Sequence, residues 1–126
     1  MTLPPRSAVV WAEIPVTDLP RAMGFYADLL GHPLVLDESG PNPMAMFAYD
    51  QTGGGTGGHL YPGKPAKGGD GATVHLAVPG TVEAAMAICT KGGGSVVSPI
   101  ITIPPGRFAY ATDPDGNSIG LFEVKR

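Results

Sequence analysis

The sequence predicts an α+β fold built from two tandem β-α-β-β-β modules. Strand-like and helix-like runs follow one another in the same order twice along the chain. A shift of 62 residues lays the second series on the first without a gap. Trp11 then falls on Thr73, Glu13 on His75, Val16 on Val78, Ala22 on Ala84, Gly31 on Gly93, Ala48 on Tyr110, Gly58 on Gly120 and Leu60 on Phe122. Glycine (19) and proline (14) are abundant, which suits many turns rather than a helical bundle.

Module one covers 8–61. Ala8 to Val16 alternates as a strand, with Trp11, Glu13 and Pro15 on one face and Val10, Ala12, Ile14 and Val16 on the other. Thr17-Asp18 offers a helix N-cap and Pro20 fits the first turn. The helix runs from Leu19 to Leu30, with Ala22, Phe25, Tyr26, Leu29 and Leu30 on its apolar stripe, and Gly31 ends it. Pro33–Leu36, Met44–Tyr49 and Gly57–Tyr61 read as strands, with a flexible turn at Gly53-Gly54-Gly55. Residues 62–71 ("PGKPAKGGDG") form a linker. Module two covers 72–124: a strand at Thr73–Val78, a helix at Thr81–Lys91 stopped by three glycines, then strands at Ser95–Ser98, Arg107–Thr112 and Ser118–Val124. Asp113-Pro114-Asp115-Gly116 is a turn. Gly120 interrupts the last strand, where a glycine marks a bend or a close approach.

At 126 residues the chain suffices for one domain with a core. The net charge is −3 and lysine and arginine do not cluster, so nucleic acid is not an expected partner. Cys89 is the only cysteine, which excludes an internal disulfide and a cysteine zinc site. There is no basic-then-apolar leader and no long apolar run, so the expectation is a cytoplasmic protein without a membrane partner. Met1–Pro5 reads as a mobile tail.

"EIPVTDLPRAMGFYADLLG" (13–31) and "FAYATDPDGNSIGLFE" (108–123) resemble the strand-turn-helix opening and the closing hairpin of the vicinal oxygen chelate superfamily. That superfamily includes glyoxalase I, extradiol dioxygenases, fosfomycin-resistance enzymes and bleomycin-binding proteins. The resemblance covers nearly the whole chain. It implies a curved eight-stranded mixed sheet or half-barrel around a cavity, and a homodimer. In metal-dependent members, histidine and glutamate side chains from strands 1, 4, 5 and 8 hold one divalent cation. The resemblance and the repeat place those positions at Trp11, Gly58, Thr73 and Gly120. None offers an imidazole or carboxylate. The expectation is therefore a metal-ligand-depleted member with no metal and no cofactor. Gly58 and Gly120 either leave room for the Trp11 ring or simply let the strands coil.

One step along the same face lie Glu13, Leu60, His75 and Phe122. As repeat mates, Glu13 and His75 are expected to approach each other, either as an acid-base pair or as a polar contact that orients a ligand. Trp11, Leu60, Thr73, Tyr110 and Phe122 are expected to line the ligand site. Arg107 is expected at its mouth, gripping an anionic group or merely solvated. Tyr49 is a wall or core aromatic. In this register His59 points away, and a slip of one residue in its strand turns it inward. His32, Cys89, Lys64 and Lys67 read as structural or solvated. The leading function is binding of a small organic molecule in a metal-free cavity, as in bleomycin-resistance-like proteins. The alternatives are a metal-independent lyase or isomerase using Glu13 and His75, and a metal-dependent glyoxalase or dioxygenase with a displaced site.

Overall fold

In the computed structural model, which describes residues 3–125, the first strand, β1, spans Trp11–Val16. The expected tail at Met1–Pro5 therefore lies partly outside the described residues. Asp18 caps α1 (Leu19–Leu30) by accepting the Arg21 backbone N–H at 3.0 Å. Gly31 ends the helix at φ 75°, a left-handed conformation that favours glycine. The chain continues through β2 (Val35–Asp37), β3 (Met44–Met46) and β4 (Gly57–Pro62). These form a sheet of order β1-β4-β3-β2, in which β1 runs parallel to β4.

The second half repeats the plan with β5 (Val74–Ala77), α2 (Val82–Lys91), β6 (Ser95–Val96), β7 (Ile101–Ile103), β8 (Gly106–Thr112) and β9 (Ser118–Val124). The order is β5-β9-β8-β6, with β7 also paired to β8. The mixed strands thus divide between two sheets. β7 is absent from the sequence reading because a three-residue strand, in the four residues between Pro99 and Pro104, gives too short an alternating run.

Each helix covers one face of its own sheet. Ile14, Val16, Ala45 and Leu60 pack beneath α1; Ala109, Ala111, Ile119 and Leu121 pack beneath α2; all belong to one continuous core. Leu60 is fully buried there. That corrects its expected place on the Trp11 face. The reason is register: Ala12 pairs with Gly58, Glu13 with His59 and Ile14 with Leu60. In the second half His75 pairs with Gly120. Glu13 and His75 are 62 apart, whereas their partners His59 and Gly120 are 61 apart. From Glu13 to its partner the first half spends 46 residues, and from His75 to its partner the second spends 45, so the first half carries one extra residue, and that inverts every side chain of β4 relative to the repeat.

The two halves are joined by the turn at 113–117. Asp113 is 3% exposed and accepts four donors: Tyr26 Oη–H (2.6 Å), the backbone N–H groups of Asp115 and Asn117, and Asn117 Nδ2. Asn117 Nδ2 also donates to the Pro15 carbonyl at 2.8 Å, and Asp115 takes Thr17 and Arg21. A carboxylate is tolerable at this depth only because its lone pairs are satisfied. Burial first, and then the neighbouring Asp113 carboxylate, push the Tyr26 phenol well above its ordinary pKa.

Candidate functional site

The helix-free faces of the two sheets carry most of the aromatic side chains. On the first sheet Trp11 sits on β1 and His59 and Tyr61 on β4, with the Tyr49 ring packed edge-on to Trp11 at 5.9 Å. Tyr49 occupies the space a side chain at Gly57 would fill, so the glycine is what lets this ring pack directly against the strand. Trp11 Nε1–H donates to His59 Nδ1 at 2.9 Å, and His59 Nε2 meets Glu13 Oε1 at 3.2 Å. An indole nitrogen can only donate, so Nδ1 must accept and the proton of the neutral imidazole sits on Nε2, facing Glu13. The order Trp11–His59–Glu13 therefore fixes ring orientation and tautomer together. The Glu13 side chain is 66% exposed, so the carboxylate stands in solvent while His59 holds it from behind.

On the second sheet the His75 ring lies over Gly120, surrounded by Phe108 (5.0 Å), Tyr110 (5.7 Å) and Phe122 (5.8 Å). Phe108 and Phe122 are stacked, 3° from parallel. The room at Gly120 is taken by His75 and not by Trp11. Gly58 has another role: a side chain there would strike the Ala12 carbonyl, so the glycine permits close parallel pairing of β1 and β4.

Glu13 and His75 do not form the expected pair. Glu13 is bound to His59, and His75 is packed among phenyl and phenol rings. They line different clefts. Glu13 lines one of about 210 Å³ with Asp70, Asn117 and Ser118. His75 and Thr73 line one of about 590 Å³ at the seam between β1 and β5, with Ala12, Leu30, His32 and Phe47. Thr73 Oγ1 is bonded to Ser118 Oγ at 2.6 Å.

Arg107 does not face the aromatic surface. It sits on the helix side, where it grips Glu83 with two N–H groups (3.0 and 2.8 Å) and Glu123 at 2.6 Å. Glu123 in turn accepts the Val82 N–H at the start of α2. That backbone N–H and then Arg107 hold the Glu123 carboxyl below its ordinary pKa, and Arg107 does the same for Glu83. The guanidinium is thus committed to helix capping. It does line an open cleft of about 770 Å³, but with its charge already paired.

The residues present do not fit a divalent metal. Trp11, Thr73 and Gly120 supply no imidazole or carboxylate, and among the described residues no three of His, Cys, Asp and Glu converge to hold an ion. The inverted β4 returns one imidazole, His59, whose Nδ1 is already occupied by Trp11. His59, Tyr61 and Phe108 are the site residues that the sequence reading did not bring onto this surface. The signal for His59 was the alternative one-residue slip.

No curated protein matches the sequence at a significant level. Among solved structures, a glyoxalase/bleomycin resistance protein from Albidiferax ferrireducens T118 is similar at TM-score 0.74 and 24% identity, covering 94% of this chain and 100% of that one. An antibiotic binding protein from Streptomyces sp. CB03234 is similar at TM-score 0.60 and 26% identity, covering 94% and 97%. A member of the superfamily from Sphaerobacter thermophilus DSM 20745 gives TM-score 0.60 and 25% identity, covering 93% and 97%. The family model matches residues 8–121, and the chain therefore belongs to the Glyoxalase/Bleomycin resistance protein/Dioxygenase superfamily.

Proposed function

We propose that this protein binds a small, largely planar organic molecule against the aromatic helix-free surface of its sheets, without a bound metal or cofactor. One observation carries the reading. Six of the nine Phe, Trp and Tyr residues (Trp11, Tyr49, Tyr61, Phe108, Tyr110 and Phe122) lie on that side of the sheets, Phe108 buried within its ring cluster and the other five half-buried. Rings held there offer a rigid stacking area at little entropic cost. The likeness to an antibiotic binding protein supports a ligand of antibiotic size. The reading includes a homodimer, for which the exposed Val35, Leu36 and Val97 provide apolar area. A cytoplasmic setting suits the free Cys89 thiol.

Trp11 is the only tryptophan, so its emission reports on the first wall directly. Titration with uncharged planar aromatics is expected to quench it saturably, with one site per chain. Tyr49→Ala and Tyr61→Ala are expected to weaken that response. A folded protein whose emission responds to none of these compounds would remove the reading.

A second reading is favoured by the Trp11–His59–Glu13 order. A carboxylate fixed in orientation by an imidazole is a serviceable proton acceptor beside a carbonyl. Glu13 would act as the base, with His59 as its positioning residue. Deuterium exchange α to the carbonyl of a bound ketone, lost in Glu13→Gln, tests it.

A further inference from the structure

We propose that the cleft between β1, the 66–72 segment and the start of β9 is a subsite for a protonated amine, so that the preferred ligand is an organic cation. The inference deepens the small-molecule reading and rests on it for the rest of the ligand. Four polar side chains line this cleft of about 210 Å³, Glu13, Asp70, Asn117 and Ser118, and the Ser118 hydroxyl is already engaged with Thr73 Oγ1 at 2.6 Å. Among the described residues neither Glu13 nor Asp70 has a lysine or arginine partner. His59 engages one Glu13 oxygen and leaves the other free. Asn117 donates both side-chain amide hydrogens, to Pro15 (2.8 Å) and Asp113 (2.9 Å), so its remaining capacity is the carbonyl oxygen, an acceptor.

The lining is therefore rich in acceptors, negative and poor in free donors. An ammonium is the complement: three donors, no acceptor and one positive charge. The other walls, Ile14, Pro15, Ala66 and Val74, suit the methylenes next to such a nitrogen. The volume holds a head group and not a whole drug-sized molecule, whose pockets run to about 300–1,000 Å³. Glu13 also stands beside the Trp11–His59 wall, so a ligand with its amine here can lay a ring on that wall.

The test uses n-butylammonium and its neutral isostere butan-1-ol, each titrated into ¹⁵N-labelled full-length protein at low ionic strength. The ammonium is expected to shift the amides of Glu13, Asp70, Asn117 and Ser118 saturably, with the alcohol at least about tenfold weaker. The Glu13→Gln/Asp70→Asn double variant is expected to lose about tenfold in ammonium affinity while its remaining amide spectrum is unchanged. Equal binding of the alcohol, or no saturable shift, overturns the proposal. So does displacement of the ammonium by calcium or sodium with the same shifts, which would make the cleft an inorganic cation site. Quenching of Trp11 by neutral aromatics with a silent ammonium titration sinks this inference alone. The reverse result sinks the aromatic-wall reading alone.

Discussion

The imidazole of His75 occupies the space that a side chain at Gly120 would need. The two residues are cross-strand neighbours on β5 and β9, and the glycine lets the ring lie down among Phe108, Tyr110 and Phe122. Glycine in a strand costs roughly 0.5–1 kcal/mol relative to alanine, so the position carries a real penalty if nothing uses the space. The consequence is a coupling. In a His75→Ala background, Gly120→Ala is expected to stabilise by roughly 0.5–1 kcal/mol. In the wild-type background it must push the ring out, losing edge contacts of about 0.5–1.5 kcal/mol each, and is expected to be neutral or destabilising. Urea unfolding of the four proteins measures the cycle. An equal gain in both backgrounds would mean that His75 and Gly120 are independent.

Trp11 and His59 make a second coupled pair. The indole N–H at 2.9 Å requires an unprotonated Nδ1. The ¹⁵N shifts of the neutral imidazole are therefore expected to show the Nε2–H tautomer. Trp11→Phe removes the donor while keeping a ring, and is expected to bring in the Nδ1–H tautomer and to loosen Glu13. A His59 spectrum that Trp11→Phe leaves unaltered would show that the hydrogen bond does not set the tautomer.

Much of this arrangement was legible in the residues themselves. The helix at Leu19–Leu30 was framed by Asp18 and Gly31, because caps are local chemistry that a sequence displays. The family was legible from two short segments. The face of β4 was not. Register is decided by how many residues the chain uses between the two paired strands, and the repeat offset of 62 hides the single extra residue that the first half carries there. His59 and Leu60 exchanged faces for that reason. The partnership of Asp113 with Tyr26 was equally invisible, since 87 residues separate them and a turn motif advertises only its backbone conformation. Arg107 misled because a strand-opening arginine reads as solvent-facing until the helix beside it supplies Glu83.

The Arg107–Glu83–Glu123 group predicts behaviour in acid. Both carboxyls are held below their ordinary pKa in the fold. Their contribution is thus complete above the unfolded carboxyl pKa and lost as pH falls through the lowered folded values. Arg107→Gln removes a partner of both. The loss of stability between neutral pH and about pH 3 is expected to become smaller than in wild type. Because the guanidinium points to α2 and away from the rings, the same substitution is expected to leave quenching of Trp11 by planar ligands unchanged. A parallel loss of ligand affinity would return Arg107 to the binding site.

Tyr26 and Asp113 predict the alkaline limb. The buried phenol holds its proton past its ordinary pKa, through burial and the adjacent carboxylate, while the unfolded chain releases it at about pH 10. The folded state then binds more protons than the unfolded one, so stability is complete below about pH 10 and falls above it, by up to about 1.4 kcal/mol per pH unit for this one group. Tyr26→Phe has two expected effects of opposite sense. At neutral pH it removes a donor from a buried carboxylate and costs roughly 1.5–3 kcal/mol. Above about pH 10 it abolishes this group's share of the decline, so the stability difference between variant and wild type narrows as pH rises. Denaturant midpoints at neutral pH and at two alkaline values measure both. A constant difference across that range would show that Tyr26 ionises alike in the folded and unfolded chains.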